Sequence, residues 1–498
     1  MRSLATVILT VAFVVPWGAL VGCTASETGV EPPGDQVFFP TGLAVDPRGD
    51  VLYVTNGNSD LRYNGGTLLA LDLTRLRADL DAFNASGTLP APLPGAATTT
   101  DCRRDVMVPY LLECRTQRYA TWKDQTIKLG NFAGQIAIAG VGTAAGARLF
   151  IPIRGEPSLT WVEAGRPGGN LELNCGNGGP LSRCGDGNRI SELTTVSPVE
   201  PLPGEPYGVF ADAAIGTLYV TSFAVGPVSL FDIHEVAGLA PQYADQRGGL
   251  FTADASGRQG SVSVAPRPCR SENGIVVEGL KPDGPCDPAE VSDGTFVYAT
   301  SHYSNEIAVL AVRGAGGPCD PGGGADPCNQ SRDLRLISAS RIKLDAVDPA
   351  NDNRGMAFSA DGTRLFIIDR HPPGLLAIDT SLEEGLPRNK TIDVIALCPE
   401  PSLLYLEQVA GHNRAYVVCF ASGGAYVVDP DEMRVVDEIR VGQGPNAMAF
   451  SLQDPARPLG FVANYVENDI AVLDLKPGSP TENQVIARIG FPAPAAVH

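Results

Sequence analysis

The sequence predicts an all-β protein built from repeated small sheets, and three observations support this. Glycine (56) and proline (41) are spread along the 498 residues without a fixed period, which favours many turns. Few stretches have the period of an amphipathic helix, whereas short alternating or β-branched runs are frequent. The same order of strands and turns also recurs several times along the chain. That repeat defines the predicted fold.

The first repeat, residues 40–73, is the clearest copy. Residues 41–46 alternate apolar and polar side chains, as a half-buried strand does, and residues 46–50 (DPRGD) have turn chemistry. Residues 51–55 (VLYVT) are β-formers, and residues 67–73 (TLLALDL) supply a third strand after a polar loop. A single unit of this size cannot bury both of its faces, so it needs neighbours.

Six further stretches repeat this order of strands. They are residues 134–162, 206–233, 295–312, 355–380, 403–430 and 445–475. Several units are followed by one more strand, at residues 391–397, 434–441 and 483–491. Each unit is therefore predicted to be a four-stranded antiparallel meander. Seven such units predict a seven-bladed β-propeller, in which closure of the ring protects the sheet edges.

The repeats also carry a recognisable motif. Residues 53–56 read Tyr-Val-Thr-Asn, and residues 40–49 fit the flanking pattern P-x-G-x-A-V-x-P-x-G. Weaker copies occur at residues 219–222 (YVTS), 298–301 (YATS) and 462–465 (VANY). In these features the chain resembles the YVTN-repeat β-propeller family. The resemblance implies the fold and leaves the function open, because propellers support many unrelated activities.

The N-terminus has the pattern of an export signal. Arg2 precedes the apolar run 4–15, and small residues follow. A transmembrane anchor is the alternative, but residues 4–21 are marginal in length for spanning a bilayer and contain Pro16. Residues 20–23 (Leu-Val-Gly-Cys) resemble the lipobox of bacterial lipoproteins, which implies lipidation of Cys23. Thr24 is not the aspartate that favours inner-membrane retention, so the resemblance implies an outer-membrane lipoprotein.

These features divide the chain into three parts. We predict a signal peptide over residues 1–22, a tether over 23–36 and the propeller over 37–498. The expected location is the outer membrane, where the lipid on Cys23 would hold the protein.

Cysteine usage supports an oxidising compartment independently. Eleven cysteines minus Cys23 leave an even number. They form sequential couples that suit disulfides in the loop insertions between blades. The predicted pairs are Cys102 with Cys114, Cys175 with Cys184, Cys269 with Cys286, Cys319 with Cys328, and Cys398 with Cys419. No C-x-x-C motif occurs, so the spacing typical of a redox dithiol or a zinc ribbon is missing.

The charge balance bears on possible partners. The formal net charge is −19 at pH 7, and there is no run rich in lysine or arginine. Nucleic acid is therefore not an expected partner, because phosphate binding needs a basic patch. We expect the membrane, through the lipid, and in addition either another envelope protein or a saccharide.

Candidate binding residues come from the ends of the second strands, which a propeller brings to one face around its central channel. The alternative is that they are ordinary solvated loop tips. The candidates are Asn56, Arg154, Glu156, His302, Asp369, Arg370, His371 and Asn464. His302 and His371 occupy comparable positions one blade apart, and they are the best pair for metal binding or acid–base chemistry.

No motif establishes a reaction. The sequence contains no H-E-x-x-H, G-x-S-x-G or P-loop, so no catalytic residue and no metal site is predicted. No cofactor is predicted either, although the acidic turns at residues 186–188 and 348–352 offer oxygen ligands for calcium. We expect a non-catalytic binding or scaffold module at the envelope. A hydrolase that resembles the propeller lactonases is the alternative, so the sequence leaves open whether the protein is an enzyme.

Overall fold

The structure is a computed structural model that describes eleven segments of the chain. They are residues 29–93, 101–141, 146–176, 178–191, 202–212, 216–233, 238–268, 295–313, 333–344, 352–383 and 386–490. Within these segments, no helix has both the length and the apolar character needed to cross a membrane.

Seven antiparallel sheets form the seven blades of a β-propeller, as predicted. Blade 1 and its insertion contain β1 (Pro40–Val45), β2 (Val51–Asn56), β3 (Gly66–Asp72), α1 (Leu73–Ser86), β4 (Cys102–Arg104), β5 (Leu112–Cys114) and β6 (Ile127–Leu129), with 3-10 turns at Thr116–Arg118 and Lys123–Gln125. Blade 2 contains β7 (Ala137–Val141), β8 (Gly146–Ile153), β9 (Ser158–Gly165), β10 (Glu172–Asn174) and β11 (Arg189–Ser191), with 3-10 turns at Pro167–Gly169 and Asp186–Asn188.

The remaining blades follow in chain order. Blade 3 contains β12 (Pro206–Asp212), β13 (Thr217–Ser222), β14 (Val228–Asp232) and β15 (Gln242–Arg247), and blade 4 contains β16 (Ser261–Pro266), β17 (Thr295–Ser301), β18 (Glu306–Arg313) and β19 (Asp333–Lys343). Blade 5 contains β20 (Asn353–Phe358), β21 (Arg364–Arg370), β22 (Pro373–Asp379), the short hairpin β23 (Leu382–Glu383) and β24 (Leu386–Pro387), and β25 (Lys390–Ala396).

Blades 6 and 7 complete the ring. Blade 6 contains β26 (Pro401–Val409), β27 (His412–Cys419), β28 (Gly424–Asp429) and β29 (Arg434–Arg440), and blade 7 contains β30 (Pro445–Ser451), β31 (Leu459–Asn464), β32 (Asp469–Asp474) and β33 (Gln484–Ile489).

Two blades differ from the predicted strand pattern. In blade 2 the outer position is shared by β10 and β11, which both pair with β9, because a disulfide-closed loop interrupts the edge. In blade 4 the first strand, β16, lies well before residues 295–312, the stretch that the repeat pattern assigned to this blade. Its sequence, SVSVAP, is short and weakly apolar, so alternation alone does not distinguish it from a loop.

The core consists of seven hydrophobic clusters among the described residues, one between each pair of neighbouring blades. Alternation along each strand divides its side chains between the two neighbours. In β2, for example, Tyr53 packs toward blade 2, whereas Leu52 and Val54 pack toward blade 7. The period of two that predicted the strands therefore also produces the contacts between blades.

The insertion of blade 1 seals the junction between the first and last blades. We call α1, β4 and β5 together the clasp. Strand β5 pairs in parallel with β33, and β4 pairs with β5, so the clasp extends blade 7 to six strands. Helix α1 contributes Leu76 and Phe83 to the cluster between blades 1 and 7. The four meander strands of each blade follow one another along the chain, and the clasp adds backbone pairing between the insertion of blade 1 and the outer strand of blade 7.

A buried ion pair stabilises the clasp. The Arg118 guanidinium donates Nη2 to Asp79 Oδ1 at 2.8 Å and Nη1 to the Ala91 carbonyl at 2.9 Å. Both charged side chains are about nine-tenths buried. The pKa of Arg118 is raised, first by its hydrogen bond to Asp79. The pair joins α1 to the segment that follows β5.

Three of the five predicted disulfides lie in the described segments, and all three are confirmed. They are Cys102–Cys114, Cys175–Cys184 and Cys398–Cys419. Cys398 precedes blade 6 and Cys419 ends β27, so this buried bond ties neighbouring blades together near one face of the ring.

The other two predicted disulfides are not tested by the structure. Cys269 and Cys286 lie outside the described residues, and so do Cys319 and Cys328. The pairing of Cys269 with Cys286 and the pairing of Cys319 with Cys328 therefore stay predictions from sequence spacing. The predicted lipidation residue, Cys23, also lies outside the described residues.

Removal of the clasp ion pair should destabilise the protein. In Arg118→Met, Asp79 stays buried without its cation, and we expect a loss of about 3 kcal/mol in the free energy of unfolding. The matched control is Arg62→Met, which breaks the exposed pair with Asp60 and should cost less than about 1 kcal/mol. Urea unfolding followed by tryptophan fluorescence measures both. Equal losses in the two variants would show that the clasp pair adds no special stability.

Candidate functional site

The first two strands of each blade bring their ends to one face of the ring, which we call the top face. Antiparallel register places the start of the first strand opposite the end of the second. The pairs include Pro40 with Asn56, Pro206 with Ser222 and Asn353 with Asp369. The loops that follow the second strands open at the same face. Polar residues from distant parts of the sequence therefore meet around the channel.

A shift in register marks the start of the first strand in most blades. It falls next to Thr41 in blade 1, Arg354 in blade 5, Ser402 in blade 6 and Asn446 in blade 7. Bulges of this kind redirect a side chain away from the sheet. These residues occupy the variable position of the P-x-G motif or its equivalent, and all of them line one cavity.

This cavity has a volume of about 400 Å³ and lies at the top of the central channel, and we call it the channel-mouth cavity. Residues from six blades line it. Its chemistry is set by three arginines and three aromatic residues, namely Arg154, Arg354, Arg370, Phe132, Tyr207 and Tyr465. A second cavity of about 340 Å³ lies at the rim between blades 1 and 7, where Arg62 is paired with Asp60 at 3.1 Å.

Arg154 follows β8 and is held over two aromatic rings. Its guanidinium carbon lies 4.7 Å from the ring centroid of Phe223 and 5.5 Å from that of Tyr207. Nη2 donates to Glu205 Oε2 at 3.0 Å. Contacts of a cation with ring faces are favourable and restrict the side chain. Arg154 is therefore positioned before any ligand arrives.

Arg354 and Arg370 share one carboxylate. Arg354 Nε lies 2.6 Å from Asp352 Oδ1, and Arg370 Nη1 lies 3.6 Å from Asp352 Oδ2. Arg370 also donates Nε to the Pro401 carbonyl at 3.1 Å and Nη2 to Ser402 Oγ at 2.9 Å. The pKa of Arg370 is lowered, first by burial and then by the neighbouring charge of Arg354. The positive charges of Arg354 and Arg370 are thus held close together beside Asp352.

His302 belongs to a stack of rings beside the arginines. Its imidazole stacks on Phe223 with centroids 4.0 Å apart and contacts the ring of Tyr303 on its own chain segment. Burial, and then the charge of Arg354, lower the pKa of His302 to about 4. The imidazole is therefore neutral at physiological pH. Arg354 also reaches Phe223, at 5.7 Å from its ring centroid.

Asp369 and His371 lie at the end of β21 in different surroundings. Asp369 is buried, and the loss of solvent raises its pKa to about 6. Its Oδ1 accepts the backbone N–H of His371 at 2.9 Å, while the His371 side chain is exposed. His302 and His371 thus do not share one environment, although the sequence pattern gave them comparable positions. Their joint role in metal binding stays a prediction.

Three other predicted residues have partners within the protein. Asn56 is buried, where its side chain accepts from Phe38 N and donates to Thr67 Oγ1. Asn464 is also buried and donates to Asp469 Oδ1 at 2.7 Å. Glu156 accepts hydrogen bonds from Arg183 and Arg189, which attach the disulfide-closed loop of blade 2. For all three, a role in binding stays a prediction, and their visible contacts are structural.

The sequence interpretation missed several residues of the channel mouth. Tyr207 and Phe223 belong to the site but were not selected, although Phe223 directly follows a second strand, and Asp352 was considered only as part of an acidic turn for calcium. A usable signal was present for Tyr207, which is the variable residue of Pro206-Tyr207-Gly208. Among the described residues there is no group of three or more histidine, cysteine, aspartate or glutamate side chains that could hold a metal ion. Of the acidic turns proposed for calcium, residues 348–351 lie outside the described segments.

Comparison with known proteins adds likenesses of fold. No family model matches the sequence, and no curated protein matches it. The periplasmic gluconolactonase PpgL of Pseudomonas aeruginosa is 14% identical, with 91% of this chain and 97% of that chain covered and a TM-score of 0.47. A candidate 6-phosphogluconolactonase of Bacteroides uniformis is 13% identical, covering 84% of this chain and 89% of that one, with a TM-score of 0.45.

A third similar structure is not named as a lactonase. Sqt1 of Saccharomyces cerevisiae is 12% identical, with 91% and 99% of the two chains covered and a TM-score of 0.43. The propeller architecture of the present chain rests on its own seven sheets. Because these structures are at most 14% identical to the chain and have TM-scores below 0.5, we draw nothing about activity from them.

The lowered pKa of His302 predicts a specific dependence of stability on pH. The ordinary histidine pKa is about 6.5, so the folded state disfavours the cation, and the resulting stability is complete above pH 6.5. That stability is lost as the pH falls through 6.5 toward the folded pKa of about 4. In His302→Phe the Tm should fall less between pH 7 and pH 4.5 than in the wild type. His412→Gln, at an exposed position, should follow the wild type. Identical profiles for all three proteins would contradict the assignment.

Proposed function

We propose that this protein is an exported, lipid-anchored propeller that binds a small anionic ligand in the channel-mouth cavity. The observation that carries the proposal is the gathering of Arg154, Arg354 and Arg370 in one cavity of a protein whose net charge is −19. Arg154 and Arg354 both lie within 6 Å of the same Phe223 ring centroid. Such crowding of cations is unfavourable unless an anion offsets it.

The local carboxylates offset only part of this charge. Asp352 serves two arginines, and Glu205 serves Arg154 while its own side chain is 43% exposed. An anion would therefore gain Coulomb energy and hydrogen bonds from guanidinium groups that are already in position. Guanidinium groups suit carboxylates and phosphates because their donors match the spacing of the oxygens.

The aromatic residues narrow the class of ligand. Phe132, Tyr207 and Tyr465 add apolar surface to the same cavity, which a bare inorganic ion would not use. A ligand with a charged group and a ring or short carbon chain fits both kinds of wall. An acidic saccharide or another organic acid meets this description, which is compatible with the saccharide expected from the sequence.

The envelope location is part of the same proposal. Residues 20–23 carry the lipobox-like pattern, and the three disulfides in the described segments suit an oxidising compartment. We infer that Cys23 carries the lipid and that the outer membrane holds the protein. Mass measurement of the mature protein tests this directly, since an unmodified Cys23 would refute it.

Anion binding is tested by calorimetry with charged and neutral sugars. We expect glucuronate and glucose 6-phosphate to bind and glucose to bind much more weakly. Arg354→Gln should weaken binding about 10- to 100-fold, because charge-assisted hydrogen bonds are lost. The matched control is Arg434→Gln, which removes an exposed arginine on the outer strand of blade 6 and should leave affinity unchanged. Equal binding of glucose and the two anions would refute the proposal.

A second candidate function is hydrolysis at the same cavity, and Asp369 is the observation that favours it. Its carboxyl is buried and does not line the cavity itself, but its pKa is raised to about 6 and the next residue is the cavity arginine Arg370, so a water molecule would have to relay its proton to or from the cavity. A carboxylate of this kind could act as the general base that takes a proton from water, while the arginines stabilise the negative charge that develops on a carbonyl oxygen. Lactones of sugar acids are suitable substrates, as the sequence alternative suggested.

The hydrolytic alternative predicts a pH-dependent rate. Since a base acts when ionised, kcat/KM for an aldonolactone should rise with pH through about 6. Asp369→Asn should lower kcat/KM about 100-fold while the Kd for the product acid changes little. The rate above spontaneous hydrolysis is followed by proton release. If the wild type gives only the spontaneous rate, the protein binds its ligand without hydrolysing it.

A further inference from the structure

The hairpin of the clasp holds apolar side chains in solvent. Strands β4 and β5 are joined by residues 105–111, and at this tip Val106 is 92% exposed and Met107 is 85% exposed. Tyr110, at the same tip, is 41% exposed. Val106 and Met107 are the most exposed large apolar side chains in the described segments. We call residues 105–111 the clasp tip.

The clasp tip has a fixed conformation. The Asp105 carboxylate accepts the backbone N–H groups of Met107 and Val108, both at 2.7 Å. Asp105 N donates to the Leu111 carbonyl at 3.0 Å, and Leu111 N donates to that of Val108 at 2.9 Å. The disulfide Cys102–Cys114 closes the base of the hairpin. The exposure of Val106 and Met107 is therefore built into the fold, which makes the tip a candidate interaction site.

The N-terminal segment lies close to the same rim of the propeller. The first described residues pack on blade 1, where Asn64 N donates to the Val30 carbonyl. Asp35 accepts a hydrogen bond from Gln117, three residues after the hairpin ends. Gly29 follows Cys23 by only six positions, so a lipid on Cys23 would hold the bilayer within about 20 Å of blade 1.

We propose that the clasp tip inserts Val106 and Met107 into the surface of the lipid bilayer and so orients the propeller on the membrane. This inference rests on the lipid anchor of the proposed function. A bilayer needs only a few apolar side chains, whereas a stable protein interface takes about 800 Å² from each partner. Tyr110 has the chemistry favoured at the boundary between lipid and water. The neighbouring Arg103 and Arg104 of β4 contact Glu113 and the Gly87 carbonyl within the protein, so the inference rests on the apolar side chains of the tip.

The test places an environment-sensitive dye on the clasp tip. The full-length lipoprotein carrying Met107→Cys is labelled and reconstituted into phosphatidylethanolamine vesicles that contain nitroxide-labelled acyl chains. The matched control is Val394→Cys on the outer strand of blade 5, a position that is 57% exposed. We expect quenching at position 107 to exceed that at position 394 by about threefold, because only the former enters the acyl region.

Two results would overturn the inference. The first is equal quenching at positions 107 and 394. The second is a blue shift of the dye at position 107 that grows with protein concentration in the absence of lipid, since a second copy of the chain would then cover the tip. A measured mass that lacks acyl chains on Cys23 would instead refute the lipid anchor. In that case, quenching of the labelled protein by added vesicles would still test whether the clasp tip enters the bilayer.

Discussion

The structure depends on closing a ring of sheets whose two ends are far apart in sequence. Six interfaces join blades that follow each other along the chain, and the seventh joins blade 1 to blade 7. The clasp stabilises this seventh interface through backbone pairing to β33, apolar contacts of α1 and the Arg118–Asp79 pair. The channel-mouth cavity has walls from six blades, so it exists only when the ring is closed.

A repeated backbone can produce a specific site because one position in each repeat is free to vary. The register shift at the start of the first strand turns that position toward the channel. In blades 1, 3 and 5 a glycine follows it, where a Cβ would meet backbone atoms of the next blade within 3 Å. The variable position holds threonine in blade 1, tyrosine in blade 3 and arginine in blade 5, namely Thr41, Tyr207 and Arg354. This position therefore contributes a different kind of side chain to the cavity from each of these blades, beside the arginines that follow the second strands.

The sequence predicted those parts of the structure that depend on neighbours along the chain. Residues 40–56 have alternation and turn chemistry that act locally, and the disulfides close short loops, so both could be inferred. Pairing of β5 with β33 joins residues more than 370 positions apart, and no local pattern encodes it. The sequence identified only some of the residues at the channel mouth. Arg154 and Arg370 were identified from strand ends, whereas Tyr207 needed the geometry of the bulge, and the pairing of Asp352 with two arginines needed that of the loop before the first strand.

The clasp also has a consequence for how the chain is made. Its hairpin emerges early and can form the bond between Cys102 and Cys114 as soon as those residues are oxidised. Its partner strand, Gln484–Ile489, is synthesised about 370 residues later. Until then β5 has an unpaired edge, and blade 1 has no neighbour on one side. Ring assembly is therefore governed by the arrival of the C-terminal blade, and a chain that stops short of it would expose an aggregation-prone edge at both ends of the array.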